Sequence, residues 1–167
     1  GKFDQEQLQR GYKVYHDVCS ACHSMNLLSY RNLADKGAPF YSDKFPNPND
    51  SPYAKAIAKD FMVPDIAPDT GDAITRPATP SDNFKAPFAN EYAAKAANGG
   101  SAPPDLSLMA KAREGGPAYI YSLLTGFAAP PAGLTVAPGK YYNPYYPGDL
   151  TSFWTGSGPA PVGGVIA

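Results

Sequence analysis

The clearest periodicity in the chain runs from residue 4 to residue 19. Leu8, Tyr12, Tyr15 and Cys19 recur there at the i, i+4, i+7, i+11 spacing of one helical face. Asp4 followed by Gln7 resembles a capping box, so the pattern predicts a helix that starts at Asp4 and delivers Cys19 at its end. From Ser24 to Leu33 the chain turns polar and aromatic, with Tyr30 and Arg31 expected exposed or half-buried. Between Asp35 and Pro87 periodicity is lost among prolines, Asp and Asn, which predicts an excursion of loops with one short helix near Pro52 to Phe61. Asp60, Asp65, Asp69 and Asp72 in this stretch could face a basic partner, but a solvated surface is the favoured reading.

Order returns at Phe88 to Ala97, an Ala-rich helical stretch stopped by Asn98-Gly99-Gly100 in the manner of a left-handed C-cap. Pro103-Pro104 then fixes an extended segment before a helix expected over Asp105 to Arg113, and Gly115-Gly116 ends it. Pro117 opens a last helix carrying Tyr119, Ile120, Leu123 and Leu124 to Gly126. Beyond Phe127 the pattern is loop again, through an aromatic cluster at Tyr141 to Tyr146 that should pack on something apolar.

Composition sharpens this picture. At 167 residues the chain is expected to be one domain, residues 1–167. Its 19 prolines and 16 glycines are about a fifth of the chain against roughly an eighth in average usage, so long irregular loops should surround a small helical centre. A net charge of −1 argues against a nucleic-acid partner held by a basic surface. No apolar run approaches the ~20 residues of a bilayer crossing.

The candidate chemistry lies in Cys19-Ser20-Ala21-Cys22-His23, which uses both cysteines and one of the two histidines of the chain. Two thiols at C-x-x-C spacing can reach the two vinyl groups on one haem edge, and the histidine directly after them can lie under the iron as proximal ligand. A redox dithiol would need a β-α-β setting, and a disulfide across so short a loop would be strained. Neither accounts for His23. Zinc is the stronger rival, because His16, Cys19, Cys22 and His23 offer four ligands, although crowded into one short segment. Thioether attachment in bacteria takes place outside the cytoplasmic membrane, so an export signal is expected to have been removed or left out.

Three segments in order carry a family resemblance. Leu8 to Tyr15 running into Cys19 to Met25, Pro103-Pro104-Asp105-Leu106-Ser107 with Ala112-Arg113 and Tyr119 to Gly126, and Tyr141 to Gly148 together resemble the cytochrome c1 family, the c-type haem subunit of the cytochrome bc1 complex (ubiquinol-cytochrome c reductase), with loops of alphaproteobacterial type. The resemblance implies a mainly α, class I cytochrome c-like helical domain with long irregular loops around one covalent haem c. It implies that Cys19 and Cys22 bind the haem, that His23 is the axial iron ligand, that Arg113 and Tyr119 meet propionates, and that Asn98 and Pro104 line the pocket. The family's sixth ligand is a methionine that would follow Val165-Ile166-Ala167, so this ligand, the C-terminal helix and the membrane anchor are expected to lie outside the chain. Met25, Met62 and Met109 read as packing residues.

The function so implied is one-electron transfer from the Rieske iron-sulfur protein to a cytochrome c, beside cytochrome b, at the periplasmic face of the bacterial inner membrane. The chain would be the electron-transfer subunit of an oxidoreductase and a carrier by itself. The alternative is an open-site c-type haem enzyme or gas-binding cytochrome, and a zinc-stapled interaction module is a third reading.

Overall fold

Helix α1 spans Gln5–Asp17 in the computed structural model of the protein, which describes residues 3–167. Asp4 caps it as expected, its carboxylate accepting the Gln7 amide at 2.6 Å. The helix ends two residues before Cys19, because Val18 leaves helical geometry (φ −122°) and Cys19–Ala21 forms a separate 3-10 turn. Among the described residues there are five α-helices and four short strands. The architecture is mainly α with long irregular connections, as a class I cytochrome c-like domain requires, and it divides into two compact units, Gly1–Ser107 and Leu108–Ala167.

The first unit is built on stacked rings. Tyr30 is 1% exposed, which corrects the expectation of a surface or half-buried tyrosine. It stacks on Phe84 at 4.8 Å and on Phe61 at 5.2 Å between ring centroids. Each such pair adds about 0.5–1.5 kcal/mol beyond area burial. The apolar face of α1 closes this core: Tyr15 lies 6.1 Å from Phe84, and Tyr12 meets Phe40 edge-on at 5.5 Å. Helix α2 (Pro52–Lys59) is the short helix expected, with Ser51 accepting the Ala54 amide and Ala54 and Ala58 fully buried.

The stretch read as pure loop also contains an antiparallel hairpin, β1 (Met62–Ile66) with β2 (Ala73–Pro77). Pro64 and Pro77 argued against strands, but a two-stranded sheet has only edges, where a proline's missing N–H costs no ladder bond. Arg76 joins the hairpin to the next turn, its Nη1 reaching Asp82 Oδ2 at 2.6 Å and its Nε reaching Asp65. Asp65 is therefore paired, not merely solvated. Asp82 in turn caps the Thr79 amide at 2.7 Å, and the Asp82 and Pro80 carbonyls accept the Tyr30 and Arg31 amides. One arginine thus fixes the turn on which the buried tyrosine hangs.

Helix α3 covers Glu91–Ala97, starting three residues later than expected because Asn90 is the cap, accepting the Ala93 amide. Its end is as read: Gly99 is left-handed (φ +63°), and the Gly100 amide returns to the Lys95 carbonyl at 2.8 Å, the long-range bond of a Schellman motif.

In the second unit α4 is a single turn, Met109–Ala112, far shorter than the helix expected from Asp105. Helix α5 (Gly116–Thr125) carries Pro117 in its first turn and stops at Gly126. The terminal stretch is not all loop, since β3 (Tyr141–Asn143) pairs with β4 (Gly164–Ile166). Of the aromatic cluster Tyr142 is buried, donating its hydroxyl to the Val162 carbonyl at 2.7 Å. Asn143, fully buried, donates from Nδ2 to the Leu123 carbonyl at 2.7 Å and accepts the Tyr145 amide. Leu134, Leu150, Val136 and Trp154 complete this smaller core.

Candidate functional site

The pentapeptide is compressed onto one acceptor. The amides of Cys22 and His23 both donate to the Cys19 carbonyl, at 3.1 and 2.8 Å. Ser20 Oγ donates to the His16 carbonyl at 2.6 Å, tying this turn to the last turn of α1. Cys19 is half-buried and its burial pushes the thiol pKa up, whereas Cys22 is exposed; both are free thiols.

His23 is oriented from far along the chain. Its Nδ1 lies 2.7 Å from the Pro104 carbonyl, 81 positions away. A carbonyl can only accept, so Nδ1 carries the proton and Nε2 keeps its lone pair for a metal. Metal-ligating histidines use this pairing to fix tautomer and ring orientation.

The acceptor is held by Asp105, the next residue. Asp105 Oδ2 accepts Ser24 Oγ at 2.9 Å and the Asn26 amide at 2.8 Å, and Oδ1 accepts the Ser107 amide at 2.8 Å. Burial alone would raise this carboxyl, but hydrogen bonds from Ser107, Asn26 and Ser24 outweigh it and hold the pKa at about 2. Two backbone-directed bonds run alongside, Leu106 N–H to the Ser24 carbonyl at 2.9 Å and Leu27 N–H to Ser107 Oγ at 3.1 Å.

A cavity of about 590 Å³ opens beside Cys22, within the range of cofactor sites. Pro87, Phe88, Ala94, Ala102 and Pro103 give it apolar walls, and Ser24, Asn26, Asn90, Glu91 and Asp105 a polar side. Glu91 is paired with Lys95 at 2.6 Å. Of the residues singled out from sequence, Cys22 lines this cavity, and Pro104 is seated on His23 next to the lining residue Pro103. Asn98 is not among the lining residues, and its Nδ2 donates to the Ala94 carbonyl at 2.7 Å. Arg113 is exposed and Tyr119 half-buried, both in the Leu108–Ala167 unit.

Asp105, Ser24 and Ser107 were not expected to serve the site. An Asp two residues before a Ser is the local signal of an Asx turn, and here it was outweighed by reading Asp105 as a helix start.

Among the described residues no three His, Cys, Asp or Glu side chains gather as metal ligands, so the zinc cluster considered from sequence does not form. His16 bonds Asp17 at 2.8 Å and sets its ring edge-on to Phe61 at 5.9 Å. Met25 packs against the aromatic core, and Met62 is 44% exposed on β1. The donor set instead fits a covalently held c-type haem: two free thiols at C-x-x-C spacing, an imidazole with Nε2 available, and an adjoining cavity of cofactor size.

Comparison with known proteins agrees with this chemistry. The profile of the Cytochrome C1 family matches residues 1–154. The chain is 48% identical to "Cytochrome c1" of Rhodospirillum rubrum over 91% of its own length and 58% of that protein. It is 47% identical to "Cytochrome c1 1, heme protein, mitochondrial" of Arabidopsis thaliana, over 87% of the chain and 44% of the relative. To "Cytochrome b/c1" of Bradyrhizobium diazoefficiens it is 44% identical, over 89% of the chain and 23% of the relative. Each of these relatives is therefore considerably longer than this chain.

Proposed function

The chain belongs to the cytochrome c1 family, and from that premise we propose that it is the haem-bearing electron carrier of a quinol-oxidising bc1 complex. The family carries one covalently bound c-type haem. The observation that carries the proposal is the His23 Nδ1–H bond to the Pro104 carbonyl at 2.7 Å, which leaves the Nε2 lone pair available to a metal directly after the two thiols. When bound, the haem supplies a one-electron couple; the work of the chain is to hold, orient and shield it.

In this reading Cys19 and Cys22 would hold the haem through thioethers and His23 would bind its iron. Phe88, Pro87 and Pro103 give flat, apolar wall to the cavity beside Cys22, which lowers the local dielectric. Following the family pattern, Arg113 and Tyr119 serve the propionates; Asn98, which that pattern matches to the pocket lining, is the residue that ends α3. The whole of residues 1–167 serves one haem. The donor is a Rieske iron-sulfur protein, the acceptor a cytochrome c, and the neighbour in the complex a cytochrome b, at the periplasmic face of the inner membrane. Among the described residues no helix is long and apolar enough to cross a membrane. The open-site enzyme reading has no observation in its favour, because the one other histidine, His16, is held by Asp17 and Phe61.

The test is the visible spectrum of the full-length protein, which would carry the family's methionine, oxidised, reduced, and reduced under carbon monoxide, with the mass of the polypeptide. A covalent haem with a low-spin c-type spectrum indifferent to carbon monoxide is expected. A high-spin spectrum that shifts with carbon monoxide would favour the open site, and a chain without covalent haem would overturn both.

A further inference from the structure

We propose that Asp105 is a positioning residue for the axial histidine: its carboxylate clamps the segment after His23 to the segment after Pro104, and thereby sets the His23–Pro104 hydrogen bond. The clamp is placed one residue beyond each partner, with Ser24 following His23 and Asp105 following Pro104. Pro103 and Pro104 have no N–H of their own to donate, so beyond the carbonyl that Pro104 offers to His23 this segment needs a side chain to tie it to its neighbour. Asp105 supplies that tie: its Oδ2 accepts Ser24 Oγ and the Asn26 amide of the neighbouring segment, while Oδ1 accepts the Ser107 amide of its own. Ser107 passes the hold on, its Oγ accepting the Leu27 amide. The carbonyl that His23 meets is thus fixed from one side by ring geometry and from the other by a carboxylate.

The partners of Asp105 are all neutral donors, and no cation pairs with it among the described residues. A well-placed Pro104 acceptor draws the Nδ1 proton and makes Nε2 a stronger donor. A stronger donor favours the oxidised metal, so a loosened clamp raises the reduction potential.

The inference rests on His23 as axial ligand, and the experiment separates the two. In the haem-loaded protein within its membrane complex, Asp105→Asn, Ser24→Ala, Ser107→Ala and His23→Ala are compared by redox titration and by the ferric low-spin EPR signal. Outer partners of metal ligands typically act at the level of about ten-fold, so Asp105→Asn should shift the oxidised-to-reduced equilibrium about ten-fold toward reduced, about 59 mV upward for one electron. The serine variants keep the charge; Ser24→Ala removes one arm of the carboxylate and Ser107→Ala the tie to the Leu27 amide that extends it, and both should shift the equilibrium in the same direction by less, with a broadened EPR signal. Where Asp105→Asn does not assemble, the serine variants decide alone. A shift confined to Asp105→Asn would assign the effect to charge and overturn positioning, as would wild-type potentials in all three. His23→Ala with an unchanged spectrum would instead overturn the ligand assignment itself.

Discussion

The two units of the chain are stabilised in opposite ways. In Gly1–Ser107 large side chains meet each other: Tyr30 lies between Phe61 and Phe84, α1 adds Tyr12 and Tyr15, and every ion pair found among the described residues belongs to this unit. In Leu108–Ala167 close packing depends on side chains that are missing. A Cβ on Gly156 would overlap the Trp154 ring, one on Gly126 the Tyr145 ring, and one on Gly163 would stand 2.6 Å from Pro144 Cα. The first unit is therefore vulnerable to truncation and to loss of charge, and the second to the addition of a single methyl group.

Emptying the aromatic stack should be the most damaging change. Tyr30→Ala is expected to cost about 3–5 kcal/mol, the range for a large buried ring, measured by urea denaturation of the haem-loaded protein. Gly156→Ala should cost about 1–3 kcal/mol by overpacking. Combining it with Trp154→Leu should recover part of that loss, a recovery that backbone strain would not allow, since Gly156 is not among the positive-φ glycines. Asn143→Ala, which leaves the Leu123 carbonyl and Tyr145 amide without their partner, should cost about 1–3 kcal/mol. Tyr30→Phe keeps the stack and removes only the hydroxyl that accepts the Lys85 amide at 3.1 Å, for about 0.5–1.5 kcal/mol.

Acid should separate the units further. Asp82 is held well below the usual carboxylate range, chiefly by hydrogen bonding to Arg76, and Asp65, Glu91 and Asp105 are lowered as well. In the second unit only Asp149 is lowered. A depressed folded pKa stabilises fully above the unfolded value near 3.9, and that stability is lost as pH falls through the folded value. Brief pepsin digestion from pH 4 downward should therefore cut within residues 3–107 first. Asp82→Asn should flatten this dependence, and cleavage beginning beyond residue 108 would count against it.

What could be read in advance was what adjacent residues decide. The Asp4 cap, α2 behind Ser51-Pro52, the Gly99-Gly100 stop and the Pro117 start are all local, and so is the Cys19 to His23 signature. The burial of Tyr30 was hidden because its partners come from elsewhere in the chain: Phe61, Phe84 and the Asp82 carbonyl. The β1–β2 hairpin was masked by its prolines, whose penalty applies to interior strands. The carbonyl that orients His23 lies 81 residues away, beyond any periodicity; only the family resemblance pointed to Pro104. Asp105 was visible as a motif residue but took the wrong role, because helix-capping and Asx-turn chemistry use the same side chain.

The contact between Gly156 and Trp154 has an optical consequence. Trp154 is the chain's single tryptophan, it lies in the Leu108–Ala167 unit, and its Nε1 donates to the Gly158 carbonyl at 3.1 Å. Excitation at the red edge of the absorption band therefore excites one indole in one unit, while the first unit contributes tyrosine alone. Indole emission is then a channel for the Leu108–Ala167 unit alone, whereas tyrosine near-ultraviolet dichroism sums both units, Tyr142 included, so an indole transition that departs from the dichroism reports that the two halves of the chain do not unfold together.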